Sequence, residues 1–353
     1  MVEEEKKRIV IRVDGDHQRG MGHLFRMKTL ANEFRNEHVP YVFIIRKDDK
    51  SKQILHDAQH PCFEYPVEFR EGDIIEAYFQ NHAVPDLWIF DIMSTKAEWI
   101  TQVKRRGSAV MCFDDLKGGL EAADLVINPI AGCWEAEEKP GSCGARVLSG
   151  PRYAIIDPTI LKLSRSDRMA SGRIRIAVTM GGSDTYGATV QMAKVLSNVK
   201  EELKATFFLG PHFMHTRELE GVLSELPLPS VTRRALPRLH KELVKSDMVI
   251  CGGGQTLFEL CAIGMCTAAI ANEIHEEKTI AYFSKHGATI DLGSIHGRVH
   301  VARLAETIAE VRSNNRRIRD IRKSARRLVD GQGLSRCTEE CLKMVGVQTR
   351  DDA

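Results

Sequence analysis

Apolar residues fall along this chain in short unbroken runs, separated by stretches of helical period. Residues 8–13 read as a strand, 23–37 as a helix, 40–46 as a strand, and 50–59 and 73–81 as helices. Asp86 to Asp91 reads as a buried strand ending in an acid, 95–106 as a helix, and Ala109 to Asp115 as a strand ending in two acids. Leu125 to Pro129 is a further short strand. Runs this short and continuous, with helices between them, predict parallel strands buried on both faces.

Residues 131–150, rich in Gly, Cys, Glu and Pro, read as a loop, and the polar stretch 163–173 reads as a linker. The alternation then resumes. Strands are expected at 174–180, 205–209, 247–251, 267–271 and 288–292. Helices are expected at 186–198, 237–245, 256–264 and 277–286, and 300–345 reads as mostly helical. The expected fold class is α/β, with two Rossmann-like domains built on parallel sheets and a cleft between them. Domains are expected at 1–163 and 174–330, followed by a C-terminal helix and tail over 331–353.

A length of 353 residues suits two domains of ordinary size. Hydrophobic content of 43% and charged content of 28% indicate a soluble globular chain. A net charge of +2 gives no broad electrostatic pull toward nucleic acid or a membrane surface. The nine cysteines are odd in number, form no C-x-x-C and often sit in apolar runs, so reduced, mostly buried thiols and a cytoplasmic location are expected. The charged start, Met1 to Arg8, does not read as a signal peptide, and no apolar stretch approaches the ~18 residues of a membrane span. Arg233, Arg234 and Arg238, and the run from Arg312 to Arg327, read as solvated helix faces. Nothing in the sequence fixes an oligomeric state.

Three loops change this picture. The first strand runs into Asp14-Gly15-Asp16-His17-Gln18-Arg19-Gly20-Met21-Gly22-His23, where a helix begins. The second half offers Gly181-Gly182-Ser183-Asp184 and Gly252-Gly253-Gly254-Gln255-Thr256, each between a strand and a helix. Glycines let a bulky anion approach the backbone, and helix N-termini supply N–H donors and positive potential. Ser183 and Thr256 add hydroxyls. One such loop alone reads equally as a tight turn, but two in one domain favour a diphosphate site. Neither loop matches a P-loop. Phe25 stands where a dinucleotide fingerprint wants its third glycine.

His23 is the candidate general base, since an imidazole suits proton transfer near neutrality; the alternative is a histidine that merely starts a helix. Glu259, one turn or so into its helix, can accept both hydroxyls of a ribose; the alternative is a solvated glutamate. Asp14, Asp91, Asp115 and Asn128 end strands of the first domain, where open α/β sheets bind ligands. So many acids could also hold a metal, but no tight ligand spacing accompanies them, and neither a metal nor a cofactor is expected. His212-x-x-His215, with no acidic ligand near it, reads as surface.

These residues match a known pattern. Arg12-Val13-Asp14, then Gly20-Met21-Gly22-His23-Leu24-Phe25-Arg26, resembles the opening of the UDP-sugar hydrolases of pseudaminic acid biosynthesis, which act on UDP-2,4-diacetamido-2,4,6-trideoxy-β-L-altropyranose. Ile89-Phe90-Asp91, Phe113-Asp114-Asp115, Asn128, Met180 to Asp184 and a Gly-rich turn followed by Glu259 continue the resemblance over about residues 9–290. Leu236 to Glu259 is also similar to the nucleotide-binding domain of the GlcNAc transferase that makes lipid II.

The resemblance implies the GT-B fold and a UDP-sugar as the small-molecule partner. It implies that His23 activates water for attack at the anomeric carbon, with Asp14, Gly20, Gly22, Arg26, Asp91, Asp115 and Asn128 on the sugar side. It implies that Gly181, Gly182, Ser183, Asp184, Gly252, Gly253, Gly254, Gln255 and Thr256 hold the diphosphate, and that Glu259 holds the ribose. Where the family often has an Asn-Gln pair, this chain reads Ile274-His275-Glu276-Glu277, so His275 and Glu276 are expected to face the sugar or diphosphate. The implied activity is hydrolysis that releases UDP and free sugar. The rival activities are a UDP-sugar-dependent glycosyltransferase and a non-catalytic nucleotide-sugar binder.

Overall fold

A computed structural model of the chain describes residues 8–15, 21–92, 95–115, 117–129, 144–163, 172–199, 202–225, 228–236, 238–313 and 316–347. Gly20 and most of the 131–150 stretch lie outside the described residues. The chain divides into two compact units, Met1–Ile155 with Gln332–Ala353, and Ile156–Gly331.

The first unit holds β1 (Ile9–Val13), β2 (Tyr41–Arg46), β3 (Cys62–Tyr65), β4 (Leu87–Asp91), β5 (Ala109–Phe113), β6 (Leu125–Asn128) and β7 (Arg146–Ser149). The connecting helices are α1 (Gly22–Asn36), α2 (Asp49–Asp57), α3 (Glu71–Asn81), α4 (Ala97–Lys104) and α5 (Gly118–Ala122). The strands are all parallel, in the order β3-β2-β1-β4-β5-β6-β7, with Ile9 in register with Tyr41 on one side and Leu87 on the other. Continuous apolar strands are what this arrangement demands, because helices cover both faces. One face buries Ile9, Ile11 and Val13 against Leu24, Met27 and Phe34, and the other buries Val10, Trp88 and Phe90 against Ile74 and Tyr78.

The second unit begins with the short α6 (Pro158–Leu161) and carries β8 (Ile174–Thr179), β9 (Leu203–Leu209), β10 (Ser230–Arg234), β11 (Met248–Cys251), β12 (Thr267–Ala271) and β13 (Ile290–Ser294). Its further helices are α7 (Ala188–Ser197), α8 (Thr216–Glu225), α9 (Leu239–Leu243), α10 (Gln255–Ala262), α11 (Glu276–Lys285), α12 (Val301–Ser313) and α13 (Arg316–Leu328). The sheet order is β10-β9-β8-β11-β12-β13, again all parallel. A last helix, α14 (Gly333–Met344), belongs to the first unit, where Leu334, Cys337 and Cys341 join the core face that holds Ile9, Leu24 and Met111.

The structure adds elements that the apolar pattern does not show. β3, β7 and β10 are absent from the expected series, and all three are sheet edges. The expected 131–150 loop ends in β7, and Arg233 and Arg234, expected on a helix face, lie on β10. The first unit closes at Ile155 rather than at 163, because α6 packs with α10 of the second unit. Cys112, Cys251, Cys261, Cys266, Cys337 and Cys341 are buried free thiols, and burial raises the Cys337 thiol to about 12. No helix among the described residues is long and apolar enough to cross a membrane.

Candidate active site

Each sheet reverses its direction of growth once. In the first, β1 leads outward to β2 while β4 returns to its other side, so the loops after β1 and β4 part at the strands' carboxyl ends. Open α/β sheets bind ligands at such a switch point. His23 is the second residue of α1, Arg26 follows three residues on along the same face, and Asp91 is the last residue of β4.

His23 Nδ1 lies 2.6 Å from Asp91 Oδ1 and 3.0 Å from Arg26 Nη2. Arg26 Nε donates to Asp91 Oδ2 at 2.7 Å, and its Nη1 pairs with Asp114. Asp114 takes a left-handed backbone conformation (φ 47°) as it leaves β5. The side chains of Arg26 and Asp91 are buried, while that of His23 is 16% exposed. Burial works against the charge on Asp91, but Arg26 and then His23 more than offset it and hold the carboxyl at about 2. The same two carboxylates keep Arg26 charged against its own burial. Asp91 is therefore a fixed anion facing Nδ1, and in the tautomer that places the proton on Nδ1, Nε2 is the nitrogen able to take another.

The other acids of this unit organise its loops. Asp14 accepts from Arg12 Nη1 and Nη2 at 2.6 and 2.8 Å, and from the Arg46 backbone and guanidinium at 3.1 and 3.2 Å. Burial opposes its charge, yet Arg12 and Arg46 hold it at about 2. Arg12, wholly buried in β1, also binds Glu71 through Nε at 2.6 Å. Asp115 accepts from the backbone N–H groups of Thr95, Lys117 and Gly119 at 2.7 to 3.0 Å. Asn128 bridges to the Asp115 backbone through both ends of its amide. These three were expected against the sugar. Within the unit Asp14 ties β1 to β2, while Asp115 and Asn128 bind the segments that follow β4 and β5, next to Asp91 and Asp114.

In the second sheet the reversal falls between β8 and β11. Both glycine loops leave from these two strands. Gly181 has φ +79°, and a Cβ at Gly181 or Gly182 would meet nothing within 4 Å, so this turn faces open space. Behind it the chain is tight: a Cβ at Gly210 would lie 2.1 Å from the Gly182 carbonyl oxygen, which also accepts from His212 N at 3.0 Å. Ser183 Oγ and Thr185 Oγ1 lie 3.3 Å apart on the exposed turn. Asp184 accepts from Ala188 N and Thr189 N at 2.7 and 2.9 Å and so caps the start of α7.

The Gly252–Gly254 turn is built differently. A Cβ at Gly253 would fall 2.8 Å from Glu276 Cβ, and one at Gly252 would fall 3.2 Å from Glu276 Oε1. Here the glycines admit α11, whose first residue, Glu276, also accepts from Asn272 N at 2.8 Å. His275 is the N-cap of that helix and adds no capping side-chain bond. The first residues of α10, Gln255 and Thr256, follow a glycine N-cap, which adds no side-chain capping bond. Glu259 lies one turn further on, its Oε2 2.8 Å from His240 Nε2 on α9. Neither Gly210 nor His240 stood out in the sequence. The glycine that ends the apolar run Phe207-Phe208-Leu209 was a usable signal, whereas nothing near residue 240 points to Glu259.

Two parallel-sheet Rossmann-like units, each with loops at a switch point, define the GT-B class. Structural comparison agrees. A glycosyltransferase from Rickettsia africae ESF-5 matches with a TM-score of 0.67 at 12% identity, over 98% of this chain and 100% of that one. MurG of Acinetobacter baumannii matches with a TM-score of 0.63 at 11% identity, over 95% and 99%. At such identities the likeness is one of fold. In sequence, the chain is 25% identical over 331 residues to the spore coat polysaccharide biosynthesis protein SpsG of Bacillus subtilis (strain 168), covering 92% of this chain and 95% of that protein. No protein-family model matches the chain.

Proposed function

We propose that this chain hydrolyses a UDP-activated di-N-acetylated deoxy sugar, releasing UDP and free sugar for nonulosonic (pseudaminic) acid or surface-polysaccharide synthesis in the cytoplasm. The observation that carries the proposal is the 2.6 Å contact between His23 Nδ1 and Asp91, which supports the tautomer with its proton on Nδ1 and a free lone pair on Nε2. Nε2 takes a proton from water as the water oxygen bonds to the anomeric carbon. The bond from that carbon to the phosphate oxygen breaks, and its electron pair leaves on UDP. The turn at Gly181–Asp184 and the start of α10 supply backbone N–H groups to the departing diphosphate. Glu259 takes the ribose hydroxyls. Arg26, Asp14, Asp115 and Asn128 position the base and its loops. The naming of SpsG as a polysaccharide biosynthesis protein supports the pathway class.

The second reading is transfer to an acceptor hydroxyl. The same Nε2 can deprotonate an alcohol, and the fold likeness to named glycosyltransferases favours it. UDP release is followed with candidate UDP-sugars, with and without acceptor. Release without acceptor supports hydrolysis. Release only with acceptor replaces it by transfer. Tight UDP binding without turnover replaces both by a binding protein.

A further inference from the structure

Glu259 is approached from both sides. His240 Nε2 lies 2.8 Å from Oε2, and Gln255 Nε2 donates to Oε1 at 3.5 Å. Gln255 is one turn earlier on α10, so its approach is local. His240 instead comes from α9, which precedes β11, and meets Glu259 only because β11 carries the chain between them. The two side chains are 17% and 15% exposed.

We infer that His240 is a positioning residue that holds the Glu259 carboxylate in the orientation that accepts the vicinal hydroxyls of a nucleotide ribose. The inference rests on the reading that Glu259 takes the ribose. An ionised carboxylate offers about four lone-pair sites, two on each oxygen. His240 crowds one side of Oε2 without an aligned hydrogen bond, and Gln255 occupies one site on Oε1, so the sites that stay open lie side by side, which is the spacing that two adjacent hydroxyls require. Without His240 the carboxylate turns toward water and must be ordered anew when the nucleotide binds. Ordering one such side chain weakens binding by roughly two- to tenfold.

The test uses the full chain and calorimetric titration with UDP and with 2′-deoxy-UDP. The wild-type protein is expected to prefer UDP. His240→Ala should weaken UDP about two- to tenfold and weaken 2′-deoxy-UDP, which keeps only the 3′-hydroxyl for Glu259, by less, which shrinks the preference. His240→Gln, whose amide N–H has the reach of Nε2, should restore most of it. If His240→Ala weakens both nucleotides equally, or neither, the positioning role is overturned while the ribose reading stands. If the wild-type protein binds the two nucleotides equally, or binds neither, the ribose reading itself fails, and that failure is seen before any variant is made.

Discussion

His23 Nδ1 and Asp91 Oδ1 lie 2.6 Å apart, although one starts a helix and the other ends a strand 68 residues later. In the proposed mechanism Asp91 keeps its charge and holds the Nδ1 proton, so the imidazole presents Nε2 to the reacting proton. His23→Ala should therefore abolish turnover while leaving UDP affinity within about twofold, since general acid–base groups contribute roughly 10²–10⁴ in rate. Asp91→Asn keeps the shape and removes the anion, and should lower kcat by a similar order. Steady-state release of UDP, set beside UDP titration, checks both. Near-normal kcat in His23→Ala rules out this histidine as the base.

The parts of this site differ in how far the sequence shows them. The central strands, such as Ile9–Val13 and Leu87–Asp91, are legible because both faces are covered and the positions are apolar apart from Arg12 and the terminal Asp91. The edges are not. β3 (Cys-Phe-Glu-Tyr), β7 (Arg-Val-Leu-Ser) and β10 (Ser-Val-Thr-Arg-Arg) are half-buried or exposed, so polar residues interrupt them. His23 and Asp91 are each legible as ends of elements, but their pairing depends on β4 lying beside β1, which no local pattern encodes. The role of Glu276 is hidden for the same reason: its packing on Gly253 joins residues from two separate strand–helix turns.

Acid should act on the first unit in two stages, and His60 governs the upper one. It is buried against Tyr41 and Phe43, with its Nδ1 2.6 Å from the Tyr41 hydroxyl. Burial first, then Arg35 and Lys28, lower its pKa to about 4. The folded state thus refuses a proton that the unfolded chain accepts near the usual ~6.5. Stability is complete above that value and is lost as pH falls toward 4, with a slope that follows the proton difference. Urea unfolding from pH 4 to 7 should show this slope, and His60→Gln should flatten it. An unchanged slope in the variant refutes the assignment.

The lower stage belongs to Asp14 and Asp91, both held at about 2 against an ordinary 3.8. Their folded pKa values lie below the unfolded ones, so their contribution is present above about 3.8 and is lost as pH falls from there toward 2. Stability measured between pH 2 and 4 should fall steeply in the wild-type chain. Asp14→Asn should reduce that steepness while lowering stability at pH 7, because Arg12 and Arg46 lose a buried counter-charge. A variant as stable as wild type at pH 7 contradicts the network.

Two glycines on facing sides of one loop separate binding from folding. Gly182 looks into open space, so Gly182→Ala leaves the packing intact and places a methyl group where a diphosphate would approach the backbone. Its melting temperature should stay close to wild type, while UDP affinity falls by about tenfold or more, since the methyl displaces charge-assisted N–H contacts. Gly210 supports the same loop from behind, and a Cβ there would stand 2.1 Å from the Gly182 carbonyl oxygen and 2.4 Å from that of Gly181. Gly210→Ala must push the turn outward, at a cost of roughly 1–3 kcal/mol by analogy with overpacked cores, so stability and UDP affinity should fall together. Thermal melts and UDP titrations on the pair decide the point. Wild-type affinity in Gly182→Ala would remove the diphosphate from this turn, and only the start of α10 would then remain to hold it.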